Sequence, residues 1–133
     1  MTSATVDSNV YISAFHLGGI GARVLELAHH GLIRLDISDE IVKETIGVLR
    51  DKFHWDGYRL ADLHHKLLRL GNRVVPTTRI AACDDPDDDR ILECAHQANS
   101  HFIVTQDKDL LRMLRFGETS IVTPAEFLKR FVY

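Results

Sequence analysis

Cysteine is scarce in this sequence: Cys83 and Cys94 are the only two among 133 residues. They stand too far apart for a CxxC motif and are too few for a disulfide framework, so both are expected as free thiols in a reducing compartment. Long apolar runs are also missing, and none approaches the ~18 residues of a membrane span. Among the first ten residues, Asp7 stands where a secretory leader needs its apolar stretch. An intracellular, cytoplasmic protein with no membrane partner is expected. There is no surplus of positive charge, since 16 Lys and Arg against 19 Asp and Glu leave −3. Binding to nucleic acid therefore calls for a local basic patch or a bound cation. The chain has no HExxH, no GxGxxG and no GKS or GKT phosphate loop, and Gly18-Gly19-Ile20-Gly21 is too short a match to stand for one. Neighbours on a helix diverge by about 100°, so neither His29-His30 nor His64-His65 chelates alone, and a zinc site is not expected.

What is present suits one domain over residues 1–133, with 45% apolar and 26% charged residues. Short apolar runs alternate with segments of helical periodicity. Ala4 to Val6, Leu32 to Leu35, Arg73 to Pro76, Phe102 to Thr105 and Ser120 to Val122 read as strands. Helices are expected from Val10 to Gly18, from Ala22 to Gly31, after Ser38, over Tyr58–Leu70, after the Asp84–Asp89 run, around Leu110 and after Thr123. Ser38 is a candidate N-cap, and Thr123-Pro124-Ala125-Glu126 has the form of a capping box with proline at the first helical position. Strands alternating with helices predict an α/β domain with a parallel sheet, whose ligands bind beyond the carboxyl ends of the strands.

Four carboxylates are singled out by position. Asp7 directly follows the first strand and Asp107 lies two residues beyond Thr105; each could equally cap the helix it precedes. Glu44 borders the apolar stripe Ile41, Thr45 and Val48, where a carboxylate is costly to bury without a cation; a partly exposed surface glutamate is the plainer reading. Asp88 shares one helix face with Ile91, Leu92 and Ala95 and so points inward from the first turn, where the helix N-terminus also favours an anion. Asp84, Asp85, Asp87 and Asp89 are expected to form a solvated, capping rim. Carboxylates converging on one sheet edge repel unless a cation lies between them. Mg²⁺ or Mn²⁺ suits such oxygen donors and can act on a phosphodiester.

These residues carry a family resemblance. Thr5-Val6-Asp7-Ser8-Asn9-Val10 resembles the first motif of PIN domains, Glu44 with Val48-Leu49 the second, and Asp85 through Ala95 the third. Ile103 through Leu111 resembles the fourth, and Ile121 through Leu128 the ending of a bacterial and archaeal subgroup of toxin components. The likeness spans nearly the whole chain. It implies a three-layer α/β/α sandwich around a five-stranded parallel sheet, RNA hydrolysis dependent on Mg²⁺ or Mn²⁺, and a role like that of VapC toxins in type II toxin–antitoxin pairs. Asp7, Glu44, Asp88 and Asp107 become the metal-binding and catalytic carboxylates, with Ser8, Asn9 and Thr105 in support. The subgroup often has Asn where this chain has Asp89, so Asp89 and Asp109 are candidate additional acids. The alternative is a PIN fold that binds RNA or protein without catalysis.

Phosphoryl-transfer domains fit less well, because a dehalogenase-like phosphatase wants an acid where Asn9 stands and a receiver wants an acidic pair where Asp7-Ser8 stands. Arg90, Lys108, Arg112 and Arg115 follow the acids closely and are candidates for holding an RNA backbone. Leucines on more than one face of the segment Trp55 to Leu70, with the aromatics Phe53, Trp55 and Tyr58 before them, predict a homodimer.

Overall fold

Four apolar runs and the polar pair Asn72–Arg73 become parallel strands, and the helices between them return the chain along the faces of the sheet. In chain order the elements are β1 (Thr2–Val6), α1 (Ser8–Leu17), α2 (Gly19–His29), β2 (Ile33–Ile37), α3 (Asp39–Asp51), α4 (Gly57–Leu70), β3 (Asn72–Arg73), α5 (Pro86–Ala98), β4 (Phe102–Val104), α6 (Lys108–Met113), β5 (Arg115–Phe116), β6 (Thr119–Val122) and α7 (Pro124–Leu128). A 3₁₀ turn, Lys129–Phe131, follows. The computed structural model describes residues 1–131; the last two residues of the expected domain lie outside the described residues.

The strand order is β3-β2-β1-β4-β6-β5. The chain moves outward from β1 through β2 to β3, then crosses back to place β4 on the other side of β1. That reversal puts a crevice at the carboxyl ends of β1 and β4, where open α/β sheets bind ligands. The register is Val6 beside Val104 and Val104 beside Val122. The amide of Asp7 continues the ladder to the Val104 carbonyl (2.9 Å), and that of Thr105 to the Val122 carbonyl (3.0 Å). Asp7 and Thr105 thus stand just beyond the last paired residues of adjacent strands.

The α/β class holds, and β3, β2, β1, β4 and β6 are all parallel. The sheet has a sixth strand, β5, antiparallel to β6. Its two residues are too few to show alternation, and the turn rests on Gly117 at φ +59°. The third strand is Asn72–Arg73, which shares only Arg73 with the expected Arg73 to Pro76 and begins one residue earlier. After Val74 donates to the Ile37 carbonyl, the chain leaves the sheet toward Pro76, which has no amide to offer.

The helix ends follow local chemistry. Gly18 separates α1 from α2 at φ +77° and ψ −124°, a conformation open essentially to glycine. Ser38 caps α3 through the Ile41 amide, and Thr123 and Glu126 form the reciprocal capping box.

The two faces of the sheet differ in character. Helix α5 packs over β1, β2 and β4, and on that side Thr5, Asp36 and Ser100 make a buried polar network that the exposed Arg34 closes from its edge. Asp36 is fully buried and accepts from Arg34 (2.7 Å), Ser100 (2.6 Å) and Asn72 (3.0 Å). A buried carboxylate with three donors is compensated; one deprived of them is not. By strand alternation, Ala4, Val6, Leu35 and Ile37 face the other side, where α2 packs on β2.

Gly71 ends α4 against Ile37, and a Cβ built there would lie 2.6 Å from the Ile37 Cγ2. Ile37 is fully buried and has nowhere to retreat. Gly71→Ala is therefore expected to cost about 1–3 kcal/mol of stability by overpacking, read as a lower urea midpoint with an unchanged slope.

Candidate metal centre

Asp7 occupies the N-cap position of α1, yet its side chain makes no capping bond. The carboxylate instead receives the Thr105 hydroxyl at 2.7 Å and the Ser8 hydroxyl at 3.3 Å. Asp7 is buried, with its carboxylate turned toward Thr105 and the crevice. Thr105, fully buried at the end of β4, also accepts the amide of Asp107 (3.0 Å). One hydroxyl therefore sets both the rotamer of Asp7 and the path of the backbone into α6. Asp107 does cap α6, through the Asp109 amide (2.9 Å), but it also joins the cluster. Asn9 ties the start of α1 to this loop by accepting the Gln106 amide at 3.4 Å.

Asp88 comes from α5, whose start is fixed by Pro86 in the first turn and by Asp85, which caps through the Asp87 amide. Asp88, Ile91, Leu92 and Ala95 are all buried, as their shared phase predicts. Carboxylate oxygens of Asp7, Asp88 and Asp107 lie within 4.8 Å of one another. Three segments distant in sequence thus meet at the crevice. Glu44 stands beside this set rather than in it. It is half-buried on α3, and its carboxyl is raised by burial first and then by Asp87, with the Ser8 hydroxyl opposing.

The electrostatics of the cluster are those of anions forced together. Burial raises the Asp7 carboxyl, and the hydroxyls of Thr105 and Ser8 offset part of the rise. Asp88 is pushed up to about 8, by burial, by its hydrogen bond to Asp107, and by the charges of Asp107, Asp7 and Asp85. Asp88 thus keeps its proton near neutrality in the metal-free protein. The donor set is all carboxylate oxygen, with backbone and hydroxyl support behind it, which fits a hard divalent ion such as Mg²⁺ or Mn²⁺.

Other expected residues are spent elsewhere. Asp89 is not part of a solvated rim: it is buried, and one of its oxygens accepts the amides of Ala82 and Cys83, both at 2.9 Å. Its carboxyl is raised by burial but brought below the usual value by those two bonds and by the Cys83 thiol. Arg90 turns inward, pairing with Glu93 at 2.8 Å and donating to the Ile80 carbonyl at 3.2 Å, so its guanidinium is not free for a phosphate. Asp109 is exposed and pairs with Arg112. Arg115 donates to the Gly117 carbonyl, and Lys108 is exposed at the start of α6.

Sequence reasoning missed the burial of Asp89, Glu93 and Asp36. For the first two the only signal is spacing, since Asp89, Glu93 and Gln97 recur every fourth residue and share a face.

The PIN domain family model matches residues 3–109, and the chain belongs to the PIN-domain family. Two solved structures share its fold. VapBC2 from Rickettsia felis, bound to a DNA fragment from its promoter, is 14% identical over 90% of this chain and 97% of that one, with a TM-score of 0.63. VapBC-1 from nontypeable Haemophilus influenzae is 17% identical over 93% and 99%, also at 0.63. At these identities the likeness is one of fold. No curated protein matches the sequence.

Because the Asp88 carboxyl is raised from 3.8 to about 8 on folding, the folded metal-free protein holds a proton that the unfolded chain releases across that range. Its stability is therefore full at the acid end of the window and is lost as pH rises toward 8. Melting in EDTA is expected to show the midpoint falling from about pH 5 to about pH 8.5. Asp88→Asn removes this dependence and melts above wild type at the alkaline end. A wild-type midpoint that is flat or rises across the range contradicts the assignment.

Proposed function

We propose that this PIN-domain protein is a ribonuclease, hydrolysing RNA phosphodiester bonds with Mg²⁺ or Mn²⁺ held by Asp7, Asp88 and Asp107. The observation that carries this reading is the meeting of those three carboxylates at the crevice between β1 and β4. When bound, the ion supplies an activated water near neutral pH and neutralises charge on the phosphodiester. The protein's part is placement. Thr105 and Ser8 orient Asp7, the Asp107 backbone is anchored on Thr105, and Asn9 holds the β4–α6 loop against α1. Glu44 adds a fourth carboxylate at the rim. Lys108, Arg112 and Arg115 are exposed on and just after the helix that Asp107 begins; in this reading Lys108 meets the RNA backbone directly, and Arg112 and Arg115 do so on exchanging Asp109 and the Gly117 carbonyl for phosphate.

By its family and by its fold likeness to the VapBC structures, we assign the protein as the toxin of a type II pair with a cognate antitoxin. A cytoplasmic setting fits its two free thiols, and among the described residues no helix is long and apolar enough to cross a membrane. The protein acts as a homodimer in this reading. On α4, Leu60, Leu63 and Leu67 are buried while Tyr58 and Leu68 remain exposed, which leaves apolar surface outside the core.

Purified protein is expected to cut RNA with Mg²⁺ or Mn²⁺ and to stop in EDTA. Asp88→Asn loses most of the activity, and Thr105→Val loses about 10–100-fold in metal affinity or rate, as removal of an outer-shell partner does. Cleavage undiminished in EDTA refutes the metal reading, and no cleavage across a broad RNA panel favours a binding module. Light scattering at high protein concentration is expected to give the dimer mass; a monomer mass removes the homodimer.

A further inference from the structure

Between β3 and α5 the chain runs through residues 74–85 with almost no regular structure, yet it ends at Asp85, the N-cap of the helix that carries Asp88 to the crevice. It lies along α5 in the opposite direction, and one face of the helix grips it at regular intervals. Gln97 accepts the Thr77 amide (3.0 Å) and hydroxyl (3.1 Å). One turn earlier, Glu93 accepts the Ile80 amide (2.8 Å), while Arg90 donates to the Ile80 carbonyl (3.2 Å) and pairs with Glu93. One turn earlier again, Asp89 accepts the amides of Ala82 and Cys83. The helix thus substitutes side chains for the neighbouring strand that this segment lacks. Backbone donors removed from water need such partners. Asp89 and Glu93 are only 4% exposed, so their carboxylates are sealed under the strap they hold.

The grip has a direction. Asp7, Asp88 and Asp107 repel one another when no cation is bound, and Asp88, in the first turn of α5, is the member best able to escape by fraying. Asp89 is the adjacent residue and clamps the chain just before the N-cap Asp85. We infer that Asp89 and Glu93 are positioning residues: by strapping residues 77–83 to α5 they hold the first turn of the helix, and with it Asp88, in the carboxylate cluster. The role requires an acceptor oxygen at position 89 rather than a negative charge. Its consequence for cation binding rests on the metal-site reading above; the strapping itself does not.

The test compares Asp89→Ala, Asp89→Asn, Glu93→Ala and Gln97→Ala at a temperature where each is fully folded. Mn²⁺ affinity is measured by titration calorimetry, and amide hydrogen exchange is followed in metal-free protein. Asp89→Ala is expected to weaken Mn²⁺ binding about 10–100-fold and to speed exchange over residues 82–92, with β1 and β4 unaffected. Asp89→Asn keeps the acceptor and restores both. Glu93→Ala has a smaller effect on affinity, and Gln97→Ala, at the far end of the strap, leaves affinity at the wild-type value while freeing Thr77. A purely structural role predicts lower melting temperatures with equal Mn²⁺ affinity in all four folded variants, and that result overturns the proposal. So does unchanged exchange at 82–92 in Asp89→Ala. Wild type that binds no Mn²⁺ refutes the metal-site reading instead, and the exchange profiles then decide the strapping alone.

Discussion

The hydroxyl of Thr105 is the point from which the carboxyl edge of the sheet is organised. It donates a hydrogen bond to Asp7 and accepts one from the amide of Asp107, and so couples the end of β1 to the start of α6. A valine would fill the same space and do neither. The register makes the coupling possible: Val6 and Val104 are paired neighbours, which brings residues one step beyond them within hydrogen-bond range. Parallel pairing, a feature of the whole fold, is here turned into the placement of two oxygen atoms.

Against this stands the repulsion of the acids themselves. Three carboxylates at such separations are tolerated in the metal-free chain by retaining a proton, as the raised Asp88 carboxyl shows, and by rigid attachment of the elements that carry them. The two polar assemblies beneath and beside α5 supply that attachment. Asp36 with Arg34, Ser100 and Asn72 joins β2, β3 and the approach to β4, and Arg34 reaches the Ala98 carbonyl at the end of α5 (2.8 Å). Glu93 and Asp89 hold the other flank. Helix α5 is buried on more than one side for this reason, a helix that meets the sheet with apolar side chains and the strap with acids.

The sequence makes plain whatever repeats. Apolar runs and helical spacing yield the α/β class and the five parallel strands, and the phase of Ile91, Leu92 and Ala95 picks Asp88 out of five neighbouring acids. What is not periodic was hidden. Residues 74–85 have no pattern, so nothing announces that they need partners, and Asp89 and Glu93 look like solvated helix charges. Arg90 reads as a free cation for the same reason. β5 is two residues long and leaves no trace of alternation. Asp36 is charged in a strand where its neighbours Leu35 and Ile37 are apolar, and only the three donors around it explain why it can be buried.

The sheet is terminated at each side by a strand of two residues, β3 and β5. Longer edges are templates on which a foreign chain can add a strand of its own. Here each terminal strand offers an incoming extended peptide only two residues to register against, which disfavours strand addition at β3 and β5. That shifts recognition of a partner from the ladder toward side chains and helix surfaces.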